Sequence, residues 1–205
     1  MKKGAVYPQP PMTQTTAGGK IFLVGYRACG KSSVGRLLAL RLNWDFLDMD
    51  QEICRREGCT IRELVAEHGW EHFRAKERAL LEELNRRGEG GAEISGAPVA
   101  RESAGVIVAT GGGAVLHRDL WEEIKRKSLV VWLTADPEII AQRLGEDAAT
   151  PQQRPALTDL GSLSEEIKEV LAQRRELYQE ASHLKIDTTS LTPEEITERI
   201  ISDHM

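Results

Sequence analysis

The chain carries the residues of a phosphate-binding loop at Gly25, Gly30, Lys31 and Ser32, which fit the pattern G-x-x-x-x-G-K-[ST]. They follow the apolar run IFLV and precede a helical period, which is the context that the pattern requires. The glycines let the backbone curl so that successive N–H groups converge on phosphate oxygens, and the next helix adds its positive end. Lys31 would reach the β- and γ-phosphates, and the Ser32 hydroxyl would be a Mg²⁺ ligand. The loop therefore predicts a bound nucleoside triphosphate, with a ligand-free glycine turn as the simpler alternative.

The phosphate-binding loop alone does not identify the reaction. A GTPase would normally carry an N-K-x-D guanine reader, but the only asparagines, Asn43 and Asn85, lack that context. A motor or large ATPase would usually need a longer chain and no acceptor site. A small kinase must supply an acceptor site, so the remaining polar residues decide between these classes.

Two acidic residues follow the second predicted strand in the segment FLDMDQE. In an open parallel sheet the carboxyl ends of the strands face the ligand crevice, so Asp48 and Asp50 should face the loop. Asp48 could hold Mg²⁺ through its water shell, and Asp50 could accept a hydrogen bond and then the proton from a substrate hydroxyl. Capping of a helix by either acid is the structural alternative.

Basic residues and glycines could hold the rest of an acceptor. Arg74 and Glu77 are three positions apart on a helix, and an arginine fork held by a carboxylate is preorganised to bind a substrate carboxylate; an ordinary exposed ion pair is the alternative. The glycines at 111–113 end a strong strand and leave N–H groups open to a ligand, unless they form only a loose turn. Arg154 lies in a loop-like segment and Arg174 on a predicted long helix, and both could add positive charge to the site.

Short apolar runs alternate with amphipathic stretches along the chain. Unalternating, β-branched runs are typical of strands buried on both faces, and helices between them imply parallel crossovers. We expect strands at 21–24, 45–47, 106–109, 129–133 and 184–186. The pattern predicts a three-layer α/β fold in one domain over 20–205. We expect a mobile tail at 1–19, a flexible excursion at 86–105 and a lid at 144–162.

The composition indicates the cellular compartment and excludes some classes of binding partner. The 205 residues include 27 Lys and Arg against 32 Asp and Glu, a net charge of -5, so we expect no nucleic-acid partner. No apolar run is long enough for a signal-peptide core or a membrane span, so we expect neither. Three cysteines without a C-x-x-C pair favour a reducing, cytoplasmic setting.

Together these motifs resemble the shikimate kinase family. The phosphate loop, FLDMDQE, FRAKE, ATGGGAV, QRPAL and RRELY occur in that family's order from about residue 21 onward. The resemblance implies a P-loop kinase fold, with strand order 2-3-1-4-5, a lid and a substrate-binding helical region at about 49–80. It also implies transfer of the γ-phosphoryl group of ATP to the 3-hydroxyl of shikimate, in the pathway to chorismate and aromatic amino acids. ATP would be the co-substrate and Mg²⁺ the cofactor, and we expect a monomer.

The resemblance also implies roles for the matching positions. Catalytic roles would fall to Lys31, Asp50 and Arg154. ATP would contact Gly25, Cys29, Gly30, Lys31, Ser32, Ser33, Arg143 and Arg154. Shikimate would contact Asp50, Arg74, Gly112, Gly113 and Arg174, and Mg²⁺ would contact Ser32 and Asp48. Glu77 would orient Arg74, Arg143 would lie against the adenine, and Arg154 would close over the transferred phosphoryl group from the lid.

The loop interior, YRAC, departs from many members of that family. Tyr26 and Arg27 can point outward, so we expect them not to block the phosphates. Cys29 stands where glycine is frequent, which raises the hypothesis that its thiol makes the protein sensitive to oxidation.

Two rival functions remain open from the sequence. A gluconate or nucleoside monophosphate kinase would share the loop and the lid, but Arg74, Arg174 and the triple glycine argue against it. A regulatory module could bind ATP without phosphorylating anything, but it would need neither Asp50 nor Arg154.

Overall fold

The computed structural model describes residues 19–86, 105–146 and 163–204, and its centre is a parallel sheet. The strands are β1 (Gly19–Val24), β2 (Asp45–Asp48), β3 (Gly105–Ala109), β4 (Leu129–Thr134) and β5 (Leu184–Asp187). They pair in the order β2-β3-β1-β4-β5, all in parallel. The predicted fold class and strand order are confirmed.

Seven helices and one short 3-10 helix connect the strands in the described residues. The helices are α1 (Lys31–Leu42), α2 (Met49–Glu57), α3 (Ile61–Arg86), α4 (Arg118–Lys127), α5 (Pro137–Glu146), α6 (Leu163–Ala181) and α7 (Pro193–His204). The 3-10 helix (Ala114–Leu116) lies between β3 and α4. No helix in these ranges is long and apolar enough to cross a membrane.

The sheet is buried on both faces, which explains why its strands are continuous apolar runs. On β1, Phe22 and Val24 pack into one apolar cluster with α3 and α4, while Ile21 and Leu23 pack into another with α1 and α7. Each such fully buried side chain contributes about 1.5–3 kcal/mol. This two-sided core fixes the strand ends that carry the polar residues.

The register places the motif-bearing strand ends side by side. Leu23 of β1 lies opposite Ala109 of β3, and Ala109 lies opposite Asp48 of β2. The phosphate loop, the paired aspartates and the glycine triplet therefore begin at the same edge of the sheet, as the rule for open parallel sheets predicts.

Local signals fix the helices that carry the acceptor residues. Asp48 caps α2, and a capping box starts α3, in which Thr60 N–H donates to Glu63 Oε2 (2.8 Å) and Glu63 N–H donates to Thr60 Oγ1 (3.2 Å). Gly69 interrupts α3 with φ 80°, ψ 169°, so the helix is kinked there. The Lys20 ammonium donates to Asn85 O (2.6 Å) at the other end of α3 and fastens that helix to β1.

Four predicted segment boundaries were wrong. Gly19 and Gly105 begin β1 and β3, because their backbones pair with each other in the sheet. Arg86 is the last residue of α3. The predicted lid began too early, since 144–146 continue α5 and Leu144 is buried. The rest of the predicted tail, excursion and lid, at 1–18, 87–104 and 147–162, lies outside the described residues, as does Arg154.

Candidate active site

The phosphate loop joins β1 to α1 and has the backbone that its glycines predict. Gly25 has φ 147°, and a Cβ there would collide with the Leu133 carbonyl oxygen of β4. Gly30 has φ 90° at the N-terminus of α1, a left-handed conformation that glycine adopts at little cost. The Lys31 ammonium donates to Gly25 O (2.9 Å) and Tyr26 O (2.6 Å), so it is held within the curl of the loop.

Ser32 and Asp48 meet beside this loop. The Ser32 hydroxyl donates to Asp48 Oδ2 (2.6 Å), while Asp48 Oδ1 accepts from the N–H groups of Asp50 (3.1 Å) and Gln51 (3.3 Å). Asp48 thus does both of the things that the sequence left as alternatives: it caps α2 and faces the loop. A hydroxyl and a carboxylate oxygen side by side are the hard donors that Mg²⁺ prefers. No cluster of three or more His, Cys, Asp or Glu suited to a metal occurs in the described residues.

Two cavities meet at Asp50. The first, about 540 Å³, is lined by the phosphate loop and α2, including Gly30, Lys31, Ser32, Ser33, Asp48 and Asp50. The second lies between α3, the glycine triplet and α6, and its lining includes Asp50, Arg74, Gly112, Gly113 and Arg174. Asp50 therefore borders both a site for phosphates and a site rich in arginine.

Arg74 is held in the second cavity by a buried carboxylate. Its Nη1 lies 2.5 Å from Oε2 of Glu77, a side chain with 0% exposure. The guanidinium also lies over the rings of Trp70 and Phe73, at 5.4 and 5.1 Å from their centroids. A planar fork fixed on three sides keeps one orientation in the cavity, which is the preorganisation that two hydrogen bonds to a carboxylate require.

The glycine triplet at 111–113 allows the side chains of Asp50, Arg74 and Glu77 to approach the backbone closely. A Cβ at Gly111 would collide with Glu77 Oε1 and lie 3.0 Å from Asp50 Oδ1, and a Cβ at Gly113 would collide with the Arg74 guanidinium. A Cβ at Gly112 would meet nothing closer than 3.6 Å. Close approach therefore requires glycine at Gly111 and Gly113, and a loose turn does not explain the triplet.

The carbonyl of Gly112 ties the triplet to α6. It accepts from Arg174 Nη1 (3.0 Å) and from the Tyr178 hydroxyl (2.6 Å). Burial raises the pKa of Tyr178, so its hydroxyl keeps the proton that it donates here. Arg174 lines the second cavity with Arg74, so two guanidinium groups bring N–H donors to that cavity.

Comparisons with known proteins agree with this geometry. The family model for shikimate kinase matches residues 27–204. The shikimate kinase of Syntrophus aciditrophicus is 38% identical over 200 residues, which cover 93% of each chain. The shikimate kinase of Nitratidesulfovibrio vulgaris is 41% identical over 165 residues, covering 80% of this chain and 83% of its own. The chain belongs to the shikimate kinase family.

A solved structure supports the assignment. The shikimate kinase from Acinetobacter baumannii in complex with shikimate aligns with a TM-score of 0.75 and 30% identity, covering 91% of this chain and 93% of that one. As a member of this kinase family, the chain is an ATP-dependent phosphotransferase.

Within this shikimate kinase family member, Tyr26 and Arg27 do not point outward as predicted. Tyr26 is 1% exposed, and Arg27 Nη2 donates to Glu166 Oε1 of α6 (2.8 Å) and to the Tyr26 hydroxyl (3.1 Å). Arg27 lines both cavities. Sequence reasoning missed Glu166 as its partner, because the two residues lie 139 positions apart and no local pattern joins them.

Two more residues were predicted to contact ATP: Cys29 in the phosphate loop and Arg143 on α5. Cys29 is 0% exposed and burial raises the pKa of its thiol, so little reactive thiolate forms and the structure argues against the oxidation hypothesis. Arg143 Nη1 donates to Ala28 O (3.3 Å), and its Nη2 donates to Thr188 O (2.8 Å). Arg143 thus braces the loop against the end of β5, and its contact with adenine stays a prediction.

Proposed function

We propose that the protein transfers the γ-phosphoryl group of ATP to the 3-hydroxyl of shikimate, giving 3-phosphoshikimate and ADP on the route to chorismate and aromatic amino acids. The observation that carries this proposal is the position of Asp50 on the border of both cavities. One cavity has the phosphate loop, and the other has two arginines suited to a carboxylate. Shikimate is a polyol with a carboxylate, which is the chemistry that this second cavity fits.

On the acceptor side, the protein would act mainly by positioning. Arg74 and Arg174 would bind the shikimate carboxylate, and Glu77 would keep Arg74 in its orientation. The ring hydroxyls would then face Asp50, which would accept the proton of the attacking hydroxyl. Holding the acceptor in line with the phosphate removes most of the entropy cost of meeting it.

On the phosphate side, the protein would neutralise charge. Lys31 and the N–H groups of the loop would bind the phosphate oxygens, where negative charge moves during transfer. Ser32 and Asp48 would hold Mg²⁺, which when bound supplies further charge neutralisation at the phosphates. Arg154 would add a guanidinium and help to exclude water, a role that rests on the resemblance alone.

The proposal also includes a cytoplasmic location and a monomeric state. Three free thiols fit a reducing cytoplasm. A complete set of acceptor and phosphate residues within one chain fits a monomer, and its molecular mass in solution would test this.

An acceptor panel tests the proposed function against its rivals. Purified protein with ATP and Mg²⁺ would receive shikimate, gluconate or AMP in turn while ADP release is measured. We expect acceptor-dependent release with shikimate only. Release with gluconate or AMP would favour another small-molecule kinase, and ATP binding without release in any arm would favour a regulatory module.

A further inference from the structure

A histidine stands on the far side of the carboxylate that holds Arg74. His117 Nε2 lies 3.3 Å from Glu77 Oε2, the same oxygen that pairs with Arg74 Nη1 at 2.5 Å. The His117 side chain is 11% exposed and that of Glu77 is 0% exposed. Glu77 therefore stands between a guanidinium that faces the acceptor cavity and an imidazole that is almost hidden from water.

Both groups have unused hydrogen-bonding capacity in the described part of the chain. Glu77 Oε1 and His117 Nε2 are buried without a hydrogen-bond partner there. A buried carboxylate that lacks partners is unfavourable, because it has lost its hydration without full replacement. A small rotation of the imidazole, at 3.3 Å, would complete a hydrogen bond from Nε2–H to Glu77.

The backbone fixes His117 in this place. It follows the 3-10 helix, where its N–H donates to Ala114 O (3.2 Å) and its carbonyl accepts from Leu120 N–H (3.1 Å) at the start of α4. The same turn begins with Gly113, which packs directly on the Arg74 guanidinium. The turn therefore sets the positions of both neighbours of the Arg74–Glu77 pair.

We propose that His117 is a positioning residue for the Arg74 fork: it acts through Glu77, whose carboxylate it holds in place, and so raises the affinity for the acceptor carboxylate. This inference rests on the proposed function, in which Arg74 binds the carboxylate of shikimate. The imidazole N–H gives Glu77 one hydrogen bond, which keeps the carboxylate, and with it the Arg74 fork, in one orientation.

The ion pairs on neighbouring elements leave Glu77 as the carboxylate that faces His117. Asp119 of α4 pairs with Arg78 of α3, and Glu180 of α6 pairs with Arg118 of α4. Glu77 Oε2 lies 3.3 Å from His117 Nε2. Loss of the imidazole should therefore act on Glu77 and, through the Arg74 fork, raise the shikimate KM.

The test measures kcat and the KM for shikimate and for ATP at neutral pH. The variants are His117→Gln, which keeps an N–H donor near the Nε2 position, and His117→Ala, which removes it. Arg74→Ala serves as the positive control, and His204→Gln, at the end of α7, controls for a remote histidine.

We expect His117→Ala to raise the shikimate KM about tenfold at neutral pH, as loss of a hydrogen bond to a charged group does. His117→Gln, which keeps the N–H donor, should raise the shikimate KM far less, and the KM for ATP should stay unchanged in both. If the alanine variant fails to fold, His117→Leu, which fills the space without an N–H, takes its place.

Three outcomes would overturn the inference. One is a wild-type shikimate KM in His117→Ala. Another is a shikimate KM in His117→Gln as high as in His117→Ala. A third is an equal rise in the KM for ATP, which would show a general structural role. A wild-type protein without shikimate-dependent turnover would overturn the proposed function as well.

Discussion

Asp50 borders both cavities, and this position separates its role from that of Lys31. Lys31 lies within the phosphate loop, bonded to two loop carbonyls. Asp50 lies at the start of α2, against the glycine triplet. Loss of the Asp50 carboxylate should therefore affect the acceptor and the proton, but not the binding of ATP.

We predict that Asp50→Asn lowers kcat at least about 100-fold, the usual contribution of a general base, while the Kd for ATP stays nearly unchanged. Turnover assays and calorimetric titration with a non-hydrolysable ATP analogue would measure the two quantities. A comparable loss of ATP affinity would show that Asp50 belongs to the phosphate side.

Gly113 offers a second test at the level of a single residue. Its backbone is in the ordinary right-handed region (φ -102°, ψ -3°), so alanine adds a steric conflict with Arg74 and no backbone strain. The Arg74 guanidinium can move aside only by weakening its pair with the buried Glu77, so the fork loses its orientation and the fold loses some stability. We predict that Gly113→Ala raises the shikimate KM about tenfold and lowers the free energy of unfolding by about 1–3 kcal/mol.

Gly145→Ala is the matched control, because nothing lies within 4 Å of a Cβ there. If Gly113→Ala kept a wild-type shikimate KM, Arg74 would not depend on the glycine for its position. A loss of stability well above that range would instead point to a backbone conflict like the one at Gly25.

At the level of elements, α2 and α3 hold the acceptor residues through their own ion pairs. Glu52 is buried on α2 and accepts from Arg55 Nε (2.8 Å) and Nη2 (2.9 Å) and from Arg56 Nε (2.7 Å). Arg56 also pairs with Glu83 of α3. The hydrogen bonds from Arg55, helped by Arg56, lower the pKa of Glu52, although burial opposes them.

We predict that Glu52 stabilises the fold by about 1 kcal/mol at neutral pH. A lowered pKa means that the folded protein favours the ionised form, so this contribution is present above the ordinary pKa of glutamate and is lost as the pH falls through the folded-state pKa. Urea unfolding of the wild type and of Glu52→Gln should therefore differ at pH about 7 and converge in acid.

Glu71→Gln, at an exposed site on α3, is the control for loss of one charge. A difference between wild type and Glu52→Gln that stayed constant into acid would mean that the ion pairs do not depend on the charge of Glu52.

The elements show where sequence reasoning succeeds and where it stops. Strand order and the shared edge of the site were predictable, because buried apolar runs and glycine motifs are local patterns. The bond between Arg27 and Glu166 was not, since it joins residues 139 positions apart. The contacts of His117 with Glu77 and of Lys20 with Asn85 were missed for the same reason, because each depends on tertiary packing.

For the whole molecule, the central feature is the junction of two sites at one edge of the sheet. The phosphate loop on β1, the aspartates after β2 and the glycines after β3 come from three neighbouring strands. Helix α6 adds Glu166 under the loop and Arg174 in the acceptor cavity. One rigid helix therefore contacts both sites, which keeps the acceptor and the phosphates in a fixed relation.

The most direct test of this account is to identify the product by NMR. Wild-type protein would be incubated with ATP, Mg²⁺ and shikimate, and phosphorus and proton spectra would be recorded as ADP forms. We predict one new phosphomonoester, in equal amount to ADP, with its phosphorus coupled to the ring proton at carbon 3. ADP with only free phosphate, or a phosphomonoester at another hydroxyl, would contradict the proposed positioning of shikimate between Asp50 and the two arginines.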